Sequence, residues 1–174
     1  MKLKLILPNK KYLNSFAKGM EEFRKEGKSR PVEKHLKLFK SVKDFPAYEK
    51  FMRDKRRGIN LPKGWVPSTA YWAMVGDKFV GILHLRHGLN KNLVKIGGHI
   101  GYAVVPSARR KGYATEMLRL ALQKAKKMSI KKALLTCNED NIGSKKVIER
   151  NGGVFAGKIR EKGTSKLRFW ISLK

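Results

Sequence analysis

The chain has 174 residues, a single cysteine, and 41 Lys and Arg against 13 Asp and Glu, a formal net charge of +28. Its 41% hydrophobic content suffices for one sizeable core, so a single domain over residues 1–174 is expected, while the lone Cys137 excludes an internal disulfide or a cysteine-rich metal centre. No stretch approaches about eighteen consecutive apolar residues and the run after Met1 is too short for a secretory signal, so the expectation is a cytoplasmic protein with no membrane segment and no metal.

The charge attracts polyanions, and RNA, ribosomes and an anionic cofactor all qualify. The basic residues are spread along the chain, and no recognised RNA or DNA motif accompanies them. A solvated lysine-rich surface and a nonspecific RNA or ribosome association both fit. Nothing in the composition separates a monomer from a homodimer.

The opening Met1 to Pro8 reads as a strand. Tyr12, Leu13, Phe16, Met20 and Phe23 recur at helical spacing up to a stop at Gly27, and a second helix runs from Asp44 through Pro46, Tyr48, Phe51 and Met52 to Gly58. Residues 28–43, which include His35, remain unplaced. A β-hairpin follows, Ala70 to Val75 and Phe79 to Leu85 about the Gly76-Asp77 turn. A longer turn at residues 88–92 leads to a strand from Ile96 to Val105, stopped by Pro106. From Gly112 the period switches to helical, with Met117, Leu118, Ala121, Leu122, Ala125 and Met128 on one side. The strand Ala133 to Cys137, a helix from Asn141 to Asn151 closed by Gly152, and two strands, Val154 to Arg160 and Leu167 to Leu173 joined at Lys162-Gly163, complete the chain. The order β-α-α-β-β-β-α-β-α-β-β predicts an α/β (α+β) fold with one mixed sheet flanked by helices.

The segment from Ile100 to Thr115 is a strand, a basic loop with a glycine and the start of an amphipathic helix. The first amides of a helix lack internal partners and lie at the positive end of its dipole, so this geometry collects anionic oxygens. Gly112 and Ala114 keep side chains clear of a ligand, and Arg109, Arg110 and Lys111 add charge. A merely basic loop capping a helix has the same physics. Arg109-x-x-Gly112-x-Ala114 resembles the Arg/Gln-x-x-Gly-x-Gly/Ala signature of the GNAT N-acetyltransferases, and Asn141-x-x-Ser144, in a helix that ends at Gly152, resembles their second motif.

The resemblance implies a GNAT-type single mixed, mostly antiparallel sheet of about seven strands with about four helices. It also implies acetyl-CoA (coenzyme A) as co-substrate, in a cleft between the strands ending at Val105 and Cys137. Backbone groups of Ala103, Val104 and Val105 would pair with the pantetheine arm, Val104 N–H would meet the thioester carbonyl oxygen, and the amides from Arg110 through Lys111, Gly112, Tyr113 and Ala114 to Thr115 would meet the pyrophosphate. Asn141 and Ser144 occupy further cofactor positions, although both residue types also cap helices. The family's Tyr acid is replaced by Ile148. Ser144 without that Tyr is similar to members that acetylate protein N-termini, ribosomal ones included.

A protonated amine cannot attack a thioester, so a base is needed, and His99 is the candidate, with a structural histidine as the alternative and His84 and His87 behind it. Cys137 packs as a small hydrophobe or serves as a nucleophile; Trp72 and Trp170 belong to the core or line an acceptor pocket. The activity expected is transfer of an acetyl group to a primary amine of a small molecule, peptide N-terminus or lysine, by direct attack in a ternary complex. An RNA- or ribosome-associated module and a non-catalytic acyl-CoA sensor on the same fold are the alternatives.

Overall fold

The computed structural model describes residues 2–27, 31–161 and 163–173. Seven strands lie among them. β1 (Leu3–Ile6), β2 (Ser68–Val75), β3 (Lys78–Arg86) and β4 (Ile100–Val104) pair antiparallel in that order, and β5 (Lys132–Asn138), β7 (Thr164–Ser172) and β6 (Val154–Glu161) form a second antiparallel section with β7 in its centre. The strand number and antiparallel pairing agree with the sequence; the ladder, however, is interrupted between β4 and β5. Of the turn expected at Lys162-Gly163, Lys162 lies outside the described residues and Gly163 has φ 76°.

The strands β4 and β5 meet only at the start of β4, and that start is set locally. The strand expected from Ile96 begins only at Ile100, because Gly97 (φ 113°) and Gly98 (φ 61°) take backbone conformations that end extended structure. A Cβ on Gly98 would stand 2.2 Å from the Leu134 carbonyl oxygen, so glycine alone lets this corner reach β5. Arg86 fixes the corner through Nη1, which donates to the carbonyls of Gly97 (3.2 Å) and Gly98 (2.8 Å).

Helix α1 (Leu13–Glu26) ends at Gly27, φ 89°, and inserts Phe16, Met20 and Phe23 into an aromatic core. Phe16 stacks on Trp72 at 4.0 Å between centroids and meets Phe79 edge-on. Trp72 is fully buried there, which removes it from any acceptor pocket. Helix α3 (Phe45–Arg57) covers β2 and stops at left-handed Gly58, as expected. Helix α5 (Tyr113–Lys127) packs its apolar side against β1, β3 and β4, and α6 (Ile142–Arg150) packs on α5 and β5. Two short helices were not anticipated. They are α2 (Glu33–Leu38), in the unplaced segment, and α4 (Lys91–Lys95), in the expected turn, where Asn90 Oδ1 accepts the Leu93 N–H at 2.9 Å. No described helix is long and apolar enough to cross a membrane.

Helix α2 buries His35 completely within a polar chain through the core. Trp72 Nε1–H donates to Tyr48 Oη (3.2 Å), Tyr48 Oη lies 2.8 Å from His35 Nδ1, and His35 Nε2 lies 2.6 Å from His84 Nε2. Indole only donates, so the Tyr48 hydroxyl is left to donate to His35 Nδ1 and the His35 proton sits on Nε2, directed at His84. Burial, reinforced by Lys55 and Arg86, pulls His84 down to about 3, and burial with the neighbouring His84 pulls His35 well below its usual value. Both imidazoles are neutral in the fold, whereas below pH about 6.5 the unfolded chain binds the extra protons. This stabilisation is present above that pH and declines as pH falls toward the folded-state values. Thermal melts should therefore hold steady from pH 8 to 7 and drop from pH 6.5 to 5, less steeply in His84→Gln; flat melts across that range would show that the pair does not control acid stability.

Candidate active site

The loop after β4 is built to leave a helix end open. Pro106–Ala108 makes a 3-10 turn, Arg109 is extended, and Arg110 (φ 63°) and Gly112 (φ 77°) are left-handed. An arginine in that conformation carries about 1–2 kcal/mol of steric cost, compensated by the loop's anchoring. Gly112 is the N-cap of α5 and contributes no side-chain cap; the first turn closes with Glu116 N–H on the Gly112 carbonyl. The amides of Tyr113, Ala114 and Thr115 thus precede the first helical bond and face outward at the positive end of a four-turn dipole. Arg110 and Lys111 are exposed beside them. A Cβ at Gly112 would meet nothing within 4 Å, so the space over the loop is open.

Arg109 has another task. Its Nη1 and Nη2 bind Glu26 of α1 at 2.5 and 2.7 Å and its Nε donates to the Val104 carbonyl at 3.1 Å. Glu26 ionises below the usual carboxylate range because of this hydrogen-bonded guanidinium. One turn earlier, Glu22 accepts the Ser107 amide (2.9 Å) and hydroxyl (2.8 Å). The two acids of α1 therefore clamp the loop. The expected phosphate contact by the Arg109 side chain is replaced by a positioning role, because its charge is already compensated.

Between β4 and β5 the chain leaves a cleft. Val105 N–H donates to the Val80 carbonyl and Arg86 N–H to the His99 carbonyl, which places the odd-numbered backbone groups on the β3 side. Antiparallel alternation then turns the N–H and C=O of Tyr102 and the N–H of Val104 toward the free edge, the Val104 carbonyl being taken by Arg109 Nε. Ala103 and Val105, expected among the cofactor contacts, are engaged elsewhere, Ala103 with β3 and Val105 through its N–H on Val80 and its carbonyl on the Ala108 N–H; the free-edge pair is Val104 and Tyr102, the latter not anticipated from the sequence. An extended ligand arm can add to this edge as a further strand. The open helix end and the free edge together fit a long ligand with a diphosphate and an amide-bearing arm, as coenzyme A is.

His99 closes the narrow end of the cleft. It is only 7% exposed, its N–H donates to the Leu134 carbonyl (2.7 Å), and its Nδ1 accepts the Leu134 N–H (2.9 Å). The neutral ring therefore carries its proton on Nε2 and keeps no free lone pair. Burial and the nearby Arg86 lower its pKa further. These bonds correct the expectation of a general base: His99 pins β4 to β5. His87 is likewise engaged, with Nε2 2.9 Å from Thr69 Oγ1.

At the wide end, Asn141 caps α6 through Oδ1, which accepts the Ser144 N–H at 2.9 Å. Ser144 Oγ lies 3.0 Å from Tyr102 Oη, so two hydroxyls bridge β4 and α6. Burial pushes the Tyr102 phenol up to about 12, with Cys137 among the nearby groups. Cys137 is 7% exposed and burial raises its thiol, which disfavours the thiolate that nucleophilic catalysis needs. Ile148 is buried and packs against Gly153, where an added Cβ would fall 2.4 Å from its Cγ2. Among the described residues no group of three or more His, Cys, Asp or Glu could hold a metal.

No curated protein sequence matches the chain. Solved acetyltransferases share its fold. RimL, a ribosomal-protein alpha-N-acetyltransferase in complex with coenzyme A, superposes with TM-score 0.72 at 15% identity, covering 99% of this chain and 95% of RimL. RimJ of Mycobacterium smegmatis, bound to a CoA disulfide, gives TM-score 0.71 at 16% identity, covering 98% and 81%. The microcin self-immunity acetyltransferase MccE, in complex with acetyl-CoA and AMP, gives 0.69 at 14% identity, covering 98% and 92%. The sequence profile of the Acetyltransferase (GNAT) domain matches residues 28–154, and with the open helix end at Gly112 and the split between β4 and β5 it establishes that the chain belongs to the GNAT acetyltransferase family, enzymes that use acetyl-CoA as co-substrate.

Proposed function

We propose that the protein transfers the acetyl group of acetyl-CoA to a primary amine by direct attack, with both substrates in the cleft together. The observation that carries this is the free edge at Tyr102 and Val104 leading into the open N-terminus of α5. Acetyl-CoA supplies the activated acyl group. The chain binds the pyrophosphate on the amides of Gly112 to Thr115, aligns the arm along β4, and offers the Val104 N–H to the carbonyl oxygen on which charge develops. The buried, protonated Cys137 favours direct attack over an acetyl-enzyme. The Tyr102–Ser144 pair supports the departing sulfur by hydrogen bonding. With His99 engaged by Leu134, the proton of the attacking amine leaves through water.

A panel of small amines, peptides with free N-termini and lysine peptides, assayed for acetyl-CoA-dependent release of free thiol, tests this reading. Turnover with at least one acceptor, above thioester hydrolysis, is expected. Coenzyme A binding with no turnover on any class would leave a sensor, and no coenzyme A binding at millimolar concentration would overturn the reading.

The net charge of +28, and the ribosomal-protein acetylation in the names of RimL and a Salmonella typhimurium neighbour of TM-score 0.68, favour ribosome or RNA association as an accompanying property. Such binding would be electrostatic and steeply salt-dependent. In a filter-binding titration, RNA should be retained at 50 mM salt and released by 300 mM. A salt-independent affinity, or no retention at 50 mM, would leave the charge as a surface property.

A further inference from the structure

Most of the positive charge lies on solvated lysines, but at the far end of β4 from the pyrophosphate loop two cations are drawn inward, with the exposed Lys34 beside them. Arg86, half-buried at the end of β3, is held by the neutral carbonyls of Gly97 and Gly98. Lys55 of α3 is also half-buried, with Nζ 5.1 Å from the centroid of the Trp65 ring. Lys34 of α2 places its Nζ 5.5 Å from the same ring and 5.1 Å from that of Phe51. Among the described residues no ion pair joins Lys34, Lys55 or Arg86 to a carboxylate; Asp54, beside Lys55, is held by Lys50 at 2.7 Å.

Half-buried cations are ordinarily paired, because desolvation without a counter-charge is costly. Here burial, with Arg86 and Lys34 close by, brings the Lys55 ammonium down to about 8, and the two histidines of this corner, His35 and His84, are held neutral. The aromatic faces of Trp65 and Phe51 soften the repulsion without cancelling three charges. The corner is open: Trp65 is 40% exposed and, with Phe51, Lys55 and the Lys50–Asp54 pair, borders a cavity of about 270 Å³ that Lys34 and Arg86 flank without lining, while Gly101, opposite His84 on β4, has nothing within 4 Å of where a Cβ would stand. Three positive charges, beside which the one acid, Asp54, is already neutralised by Lys50, match a compact dianion better than a single carboxylate. The five residues of β4 span about 13 Å, so an anion here would lie within a small molecule's length of the free edge where the acetyl group is offered.

We propose that Lys34, Lys55 and Arg86, with Trp65, bind a phosphate group on the acceptor, so that the amine acetylated belongs to a phosphorylated small molecule; this rests on the acetyltransferase reading and names its substrate class. The probe is inorganic phosphate, titrated into the chain saturated with coenzyme A so that the amides of the α5 N-terminus are already occupied. The response is the indole N–H resonance of Trp65, one of three tryptophans in the chain. A saturable shift is expected, with the apparent Kd at least fivefold weaker in Lys55→Met and in Lys34→Met and unchanged in Lys132→Met, which removes an exposed charge on β5. A non-saturating drift, equal weakening in all three variants, or acetate binding as tightly as phosphate would overturn the proposal. The titration reads binding without turnover. Should coenzyme A itself fail to bind in calorimetry, the acetyltransferase reading falls, and the same titration without coenzyme A still judges the anion site.

Discussion

Gly112→Glu is expected to weaken coenzyme A binding at least a hundredfold while the chain remains folded. Gly112 is the N-cap of α5 at φ 77°, and the region beyond its missing Cβ is empty to 4 Å. A Cβ there meets no protein atom and costs the fold only the left-handed strain of about 1–2 kcal/mol. The ligand fares worse, because the carboxylate projects over the amides of residues 113–115, satisfies them itself and sets a negative charge where the proposed binding mode puts the pyrophosphate. Gly112→Ala separates the two effects, having the strain without the charge, and should bind within about tenfold of the parent. Arg109→Ala should also be mild toward the ligand, since its guanidinium serves Glu26 and the Val104 carbonyl. Calorimetry with coenzyme A, beside a thermal melt of each variant, measures both quantities. A folded Gly112→Glu protein that binds coenzyme A like the parent would show that the anion site lies elsewhere.

The parts of the fold that were legible are those written in local chemistry. The periodicity of Phe16, Met20 and Phe23, the glycine stops at Gly27 and Gly58, and the strand-loop-helix passage from Tyr102 to Thr115 all reappear in three dimensions. What escaped depends on contacts between distant segments. Gly97 and Gly98 resembled small residues within a strand, yet their positive φ shortens β4, and the reason Gly98 must be glycine is the Leu134 carbonyl, 36 residues on. His99 has the residue type and the unperturbed pKa of a base. Its role was settled by the Leu134 amide, which no sequence pattern announces. Arg109 looked like a phosphate ligand because its partner Glu26 belongs to a helix far earlier in the chain. Helix α2 was invisible because its six residues are too few to display a period, and the burial of His35 within it follows from Tyr48 and His84.

Tyr102 shows the same limit from the opposite side, because transferring the family's acid residue by position led to Ile148, which faces the core, while a hydroxyl reaches the wide end of the cleft from β4. The single hydrogen bond between Tyr102 Oη and Ser144 Oγ uses one of their two protons. Whichever group donates, one O–H of the pair is left over from this bond and can serve a ligand in the cleft. Burial holds the phenol at about 12, far above the roughly 8.5 of an ordinary thiol, so complete proton transfer from Tyr102 to a departing thiolate is uphill. The pair is therefore expected to act by donating a hydrogen bond to sulfur as charge develops there, a contribution of the order of 10²-fold in turnover when a preorganised donor is removed. Tyr102→Phe and Ser144→Ala should each lower kcat by about 10- to 100-fold and leave the KM for acetyl-CoA within about threefold, because the backbone of β4 and the α5 amides, proposed to hold the cofactor, are untouched. Since the two hydroxyls work as one unit, the double variant should lose little more than the worse single one. Steady-state kinetics with any acceptor found in the amine panel, together with a thermal melt of each variant, decides the matter. Unchanged turnover in Tyr102→Phe, or a double variant whose loss equals the product of the single losses, would return this bridge to a purely structural tie between β4 and α6.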